Sequence, residues 1–232
     1  MKLSNIAAIV VMLAASLFAQ AGSKAIGKVT YIEGQAFLER NGKKPQKLSV
    51  SMKIQAGDVL GTGVESILEI TLGNGTVLRF AENARGTVDE KTGNGNVKMQ
   101  SGKLWANVQK IQNGSFSVGT PVATAAVRGT IFRVETDSSS GSTVALYEGI
   151  VDVGPADSTK VKPPKTSEWG PPVEVAGPYE VTLEEWVRLR PGMQIHVQGN
   201  GKYATGMVDD KSDAASQWIR FNQKRDQSVA RP

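Results

Sequence analysis

Asn-Gly dipeptides recur five times in this chain, at Asn41-Gly42, Asn74-Gly75, Asn94-Gly95, Asn113-Gly114 and Asn200-Gly201. Both residues tolerate positive φ, the backbone state that a tight hairpin turn demands, so each pair is a strong local signal for a β-hairpin. The runs between them are short and alternate in polarity. Lys28-Val29-Thr30-Tyr31-Ile32, Val77-Leu78-Arg79-Phe80 and Val97-Lys98-Met99-Gln100 all read as strands. A second pattern sits on top of the first. Around Gly34, Gly102 and Gly149 the chain reads strand, polar residue, glycine, strand. The spacing is irregular, which excludes a fixed-period tandem array. It fits stacked rungs with glycine at the corners. The expected fold is mainly β, rungs of short strands with hairpins and one C-terminal helix. An antiparallel β-sandwich is the alternative.

The two ends carry different signals. Lys2, an apolar run from Ile6 to Phe18, and Ala19-Gln20-Ala21 together read as a secretory signal peptide over residues 1–21, with cleavage expected before Gly22. The protein is therefore expected to be periplasmic or secreted, with membrane association only if that peptide stays uncut. Prolines crowd residues 156–178, which read as an extended linker between a β domain at residues 25–155 and a closing segment at 179–232. In that segment Tyr179 to Val197 resumes the strand pattern, and Trp186 is expected to dock it on the main stack. A helix is expected after Asp209, capped by Asp210 or Ser212. Its apolar face would be Ala214, Ala215, Trp218 and Phe221.

Residue types limit the chemistry. There is no cysteine, and His196 is the lone histidine, so neither a thiolate nor a histidine cluster can hold a metal. No nucleophile elbow, zinc-protease motif or P-loop is present. Glu33, Glu148 and Asp152 could be imagined as a glycosidase acid pair, but Glu33 and Glu148 occupy equivalent corners beside glycines, which geometry explains better than catalysis. Asp58 reads as a turn residue that bonds nearby backbone N–H groups. The net charge of +5 is scattered rather than striped with aromatics, so nucleic acid is not an expected partner. No catalytic residue, metal site or cofactor is assigned, and the protein is expected not to be an enzyme.

The segment Thr120-Pro121-Val122-Ala123-Thr124-Ala125-Ala126-Val127-Arg128-Gly129-Thr130-Ile131-Phe132-Arg133-Val134 resembles the core signature of FecR-domain proteins, a periplasmic sensing module. Upstream, Ala56-Gly57-Asp58-Val59-Leu60 and Ser66 to Thr76 resemble that family's earlier block. Downstream, Val144 to Val153 resembles its closing strand pair. The resemblance covers roughly Ala25 to Pro155 and implies a β-rich, solenoid-like stack of short strands that binds another envelope protein in signalling or assembly. Arg128, Gly129, Thr130, Phe132 and Trp105 are the binding candidates. The alternative is a cell-wall or carbohydrate-binding, or structural, module of the periplasm, with Trp105, Trp169 and Tyr203 along one groove. Family members that regulate transcription carry a cytoplasmic helical segment before a membrane helix. With a signal peptide in that place, no direct sigma-factor contact is expected.

Overall fold

The structure, a computed structural model, describes residues 24–91, 94–110, 115–137, 141–156, 181–183 and 186–228. The expected signal peptide and most of the proline-rich linker lie outside them. Within them the chain is mainly β, as the sequence patterning implies. Its strands are β1 (Ala25–Glu33), β2 (Ala36–Glu39), β3 (Gln46–Lys47), β4 (Lys53–Gln55), β5 (Asp58–Thr62) and β6 (Ile67–Leu72). Then come β7 (Val77–Phe80), β8 (Arg85–Lys91), β9 (Asn94–Asn107), β10 (Phe116–Gly119), β11 (Ala123–Val127) and β12 (Ile131–Asp137). The last are β13 (Gly141–Glu148), β14 (Val151–Pro155), β15 (Val181–Thr182), β16 (Val187–Leu189), β17 (Met193–Val197) and β18 (Lys202–Met207). Two helices follow, α1 (Asp210–Ala215) and α2 (Gln217–Ser228).

The strands form two ladders that share β9. The first sheet runs β4-β1-β6-β7-β9-β12-β13-β17-β18-β15. The second runs β3-β2-β5-β8-β9-β10-β11-β14-β16. Neither closes on itself. Among the described residues every pairing is antiparallel except β9 with β10, which is parallel. One core takes alternate side chains from both sheets. The first sheet supplies Leu68, Ile70, Leu72, Phe80, Leu104 and Phe132, and the second Leu38, Leu60, Phe116 and Val153.

The chain steps between the two sheets at tight corners. The three glycines of the loose repeat are all such corners: Gly34 between β1 and β2, Gly102 inside β9, and Gly149 between β13 and β14. β9 pairs in the second sheet up to Ser101 and in the first from Gly102 onward, so one strand serves both. Gly102 makes this turn at φ +86°, and a Cβ there would sit 2.4 Å from Ala84 Cα. Gly149, at φ +91°, packs as closely, with 2.5 Å from a Cβ to the Gly129 carbonyl oxygen. Corners thus stack on corners, and a side chain would push the rungs apart.

Three of the Asn-Gly pairs lie at the expected turns, Asn41-Gly42, Asn74-Gly75 and Asn200-Gly201. Asn94-Gly95 does not. It begins β9, where Gly95 pairs with Phe116 across the parallel ladder and leaves room for that ring. Asn113-Gly114 lies outside the described residues. The closing segment extends both sheets, β16 pairing with β14 and β17 with β13. Trp186 docks it as expected, its ring lying against Gly154.

The C-terminal helix differs from expectation in three ways. It is two helices, broken at Ser216, whose ψ of 117° is extended. Its cap is Asp209, whose carboxylate accepts from the Lys211 and Ser212 amides, rather than Asp210 or Ser212. Ala214 and Ala215 are exposed and Trp218 and Phe221 half-buried, while Asp213, Ile219, Asn222 and Asp226 turn inward. The sheet face beneath is charged, so acids are buried in place of alanines.

Candidate functional site

Cross-strand register aligns one row of side chains on the outer face of the first sheet. Tyr31 pairs with Glu69, Glu69 with Arg79, Arg79 with Trp105, and Trp105 with Arg133. Except at a bulge in β1, where Thr30 shares this face with Tyr31, their neighbours along each strand point into the core, since successive strand residues alternate in direction. The helices α1 and α2 lie over this row. Arg79 is fully buried. Its Nε donates to Glu69 Oε2 at 2.6 Å and its Nη1 to Asp226 Oδ1 at 2.6 Å. Trp105 Nε1 donates to the other Asp226 oxygen at 2.8 Å. Farther along, Arg133 Nη1 and Tyr147 Oη donate to the two oxygens of Asp213, at 3.0 and 2.6 Å. Trp105 and Tyr147 stack with ring centroids 4.7 Å apart.

Glu69 is the hub. It accepts from Arg79, from Arg225 Nε at 2.6 Å and from Thr30 Oγ1 at 2.7 Å. Burial pushes its carboxyl up. The hydrogen bonds from Arg225, Arg79 and Thr30, with the Arg79 charge, outweigh that and bring it to about 2. Tyr147 is shifted upward, first by burial and then by its hydrogen bond to Asp213. Among the described residues three buried donors of this face find no hydrogen-bond acceptor: Arg79 Nη2, Trp218 Nε1, and Arg133 Nε, which lies 3.1 Å from Glu135 Oε1 as an ion pair.

The sequence-derived candidates fall in different places. Trp105 is only 1% exposed beneath α2, and Phe132 is wholly in the core, so neither is a surface contact. Thr130 is buried, and its Oγ1 finds no partner. Gly129 is a half-buried corner. Arg128 alone of the five is exposed. No sheet edge lies beside this signature among the described residues, because β11 is flanked by β10 and β14, and β12 by β9 and β13. Gly129 and Thr130 do line an open groove of about 780 Å³ with Glu69, Asn107, Lys110 and Glu148.

Buried Trp105 cannot contribute to an aromatic sugar-binding groove, and Trp169 lies outside the described residues. Asp58 accepts from the Gln55 amide at 2.7 Å, as a turn residue does, and pairs with Arg40. Asp152 is held by Arg188 at 2.7 Å. His196 sits on the face opposite Ile195 and Val197, 3.0 Å from Thr143 Oγ1. Among the described residues no group of three or more acids or histidines could hold a metal ion, and no helix is long and apolar enough to cross a membrane.

Sequence reasoning missed the row under the helices. Its one local signal was the charge or aromatic at each outward position, Glu69 in Ile67–Leu72, Arg79 in Val77–Phe80 and Arg133 in Ile131–Asp137. Nothing local says that a distant helix covers them.

The architecture is that of a β domain with a charged, aromatic outer face. Residues 58–152 match the family model described as FecR protein. No curated protein matches the chain. Two crystal structures of a candidate anti-sigma factor from Parabacteroides distasonis ATCC 8503, at 1.65 and 2.50 Å resolution, share the fold. They superpose with TM-scores of 0.52 and 0.51, each at 19% identity, over 69% and 68% of this chain. The matches span 64% and 62% of those chains, less than two thirds of their length.

Proposed function

We propose that this is a non-enzymatic, exported envelope protein whose FecR domain binds another envelope protein in signalling or assembly. The FecR match over residues 58–152 carries the reading. Two features of the site support it. The buried carboxylates Asp58, Glu69 and Asp152 are each engaged by arginine, which suits scaffolding rather than proton transfer. Arg128, in the signature, projects from a corner where a partner can reach it. The anti-sigma name of the structural neighbours favours signalling over assembly.

The test is cross-linking in cells that express the protein, with the wild type and Arg128→Ala compared. Recovery of one envelope protein, reduced in the variant, supports the reading. Recovery of glycan alone, or of no specific protein, overturns it. Mass spectrometry of the exported chain is expected to find a start near Gly22; intact residues 1–21 in the membrane fraction would remove the soluble-export part.

A further inference from the structure

We propose that the outer face of the first sheet is a docking surface for an acidic amphipathic helix of a partner protein, and that α2 occupies it as a displaceable internal ligand. This rests on the partner-binding reading above and names the surface and the partner's chemistry.

The helices meet the sheet through charged groups and through one aromatic contact, Phe221 against Tyr31 with ring centroids 5.8 Å apart. Asp213 and Asp226 reach Arg133 and Arg79, and Arg225 reaches Glu69. Ile219 is the one aliphatic side chain they bury among the described residues, and it is not part of the core enclosed by the two sheets. That core is complete without either helix. α2 can therefore leave without exposing it, and such locally separable elements open at lower cost than the whole domain. Every residue of the covered row from Glu69 to Arg133 lies inside the FecR match at 58–152, whereas both helices lie outside it.

The fit of α2 is also incomplete. Arg79 Nη2 has no acceptor, and Asn222 offers only a neutral oxygen, 3.4 Å from Nη1. A buried guanidinium is best met by carboxylates in paired geometry. A helix that keeps a basic residue for Glu69 at the Arg225 position and carries acids at both the Asn222 and Asp226 positions, four residues apart on one face, meets Arg79 more fully than α2 does. A ligand that prefers the open state draws the population toward it by that difference in affinity.

Two measurements on the full chain test this. In hydrogen exchange, α2 amides are expected to exchange at least a hundredfold faster than those of Phe132 and Val134 in β12. Equal rates would mean the helix leaves only on global unfolding and would overturn the proposal. The second uses a labelled synthetic peptide of residues 209–228 carrying Asn222→Asp. It is expected to bind the Asp226→Ala chain at least tenfold more tightly than the wild type, and a peptide with lysine at both positions should bind neither. Equal affinity for the two chains, or equal binding of the lysine peptide, would refute the docking surface. If cross-linking still recovers a partner while these fail, the surface is wrong and the partner-binding reading stands; if no partner is recovered, that reading fails.

Discussion

Glu69→Gln removes the hub charge of the outer face while nearly preserving its shape. In the native protein this carboxyl titrates at about 2, against an ordinary value of 4.5. At roughly 1.4 kcal/mol per pH unit, the difference makes ionised Glu69 worth about 3 kcal/mol at neutral pH. The figure agrees with the cost of about 3–5 kcal/mol for removing one member of a buried pair, since Arg79 remains fully buried. The folded-state value is depressed, so this stability is present above pH 4.5 and is lost as pH falls toward 2. Urea unfolding of wild type and variant should show a gap of about 3 kcal/mol at pH 7 that closes progressively by pH 2. A gap under about 1 kcal/mol at pH 7, or one that does not change with pH, would refute the reasoning, because both follow from the ionised state being the one the network holds.

Other expectations follow from packing. Gly102→Ala combines positive φ with a Cβ 2.4 Å from Ala84 Cα and should cost about 3 kcal/mol in urea unfolding, whereas Gly42→Ala, with open space around it, should cost about 1 kcal/mol. Phe132→Ala should lose about 3–5 kcal/mol by thermal or chemical melting, since its ring is wholly in the core. Arg128→Ala should stay within about 0.5 kcal/mol of wild type in the same melts, which makes it the cleaner probe of partner contact. Asp58→Ala strands the Gln55 amide and Arg40 and should cost about 2 kcal/mol, measured by the urea midpoint.

Local signals determined a good deal of this molecule. Alternation set the strands, and the glycines at 34, 102 and 149 marked corners, because strand period and positive φ are properties of a few adjacent residues. The closing segment and its Trp186 anchor were legible for the same reason. The FecR-like signature was visible too, but its meaning was not: Phe132 and Thr130 serve the interior, and of the five binding candidates only Arg128 is exposed. Tertiary structure alone decided what covers the outer face. Asp226 lies 147 residues from Arg79 in sequence, and Arg225 lies 156 from Glu69. Whether a charged strand position meets water or a helix depends on where the chain returns, and no local pattern carries that information. The same dependence turned the helix over, burying Asp213 and Asp226 against arginines and leaving Ala214 and Ala215 to solvent.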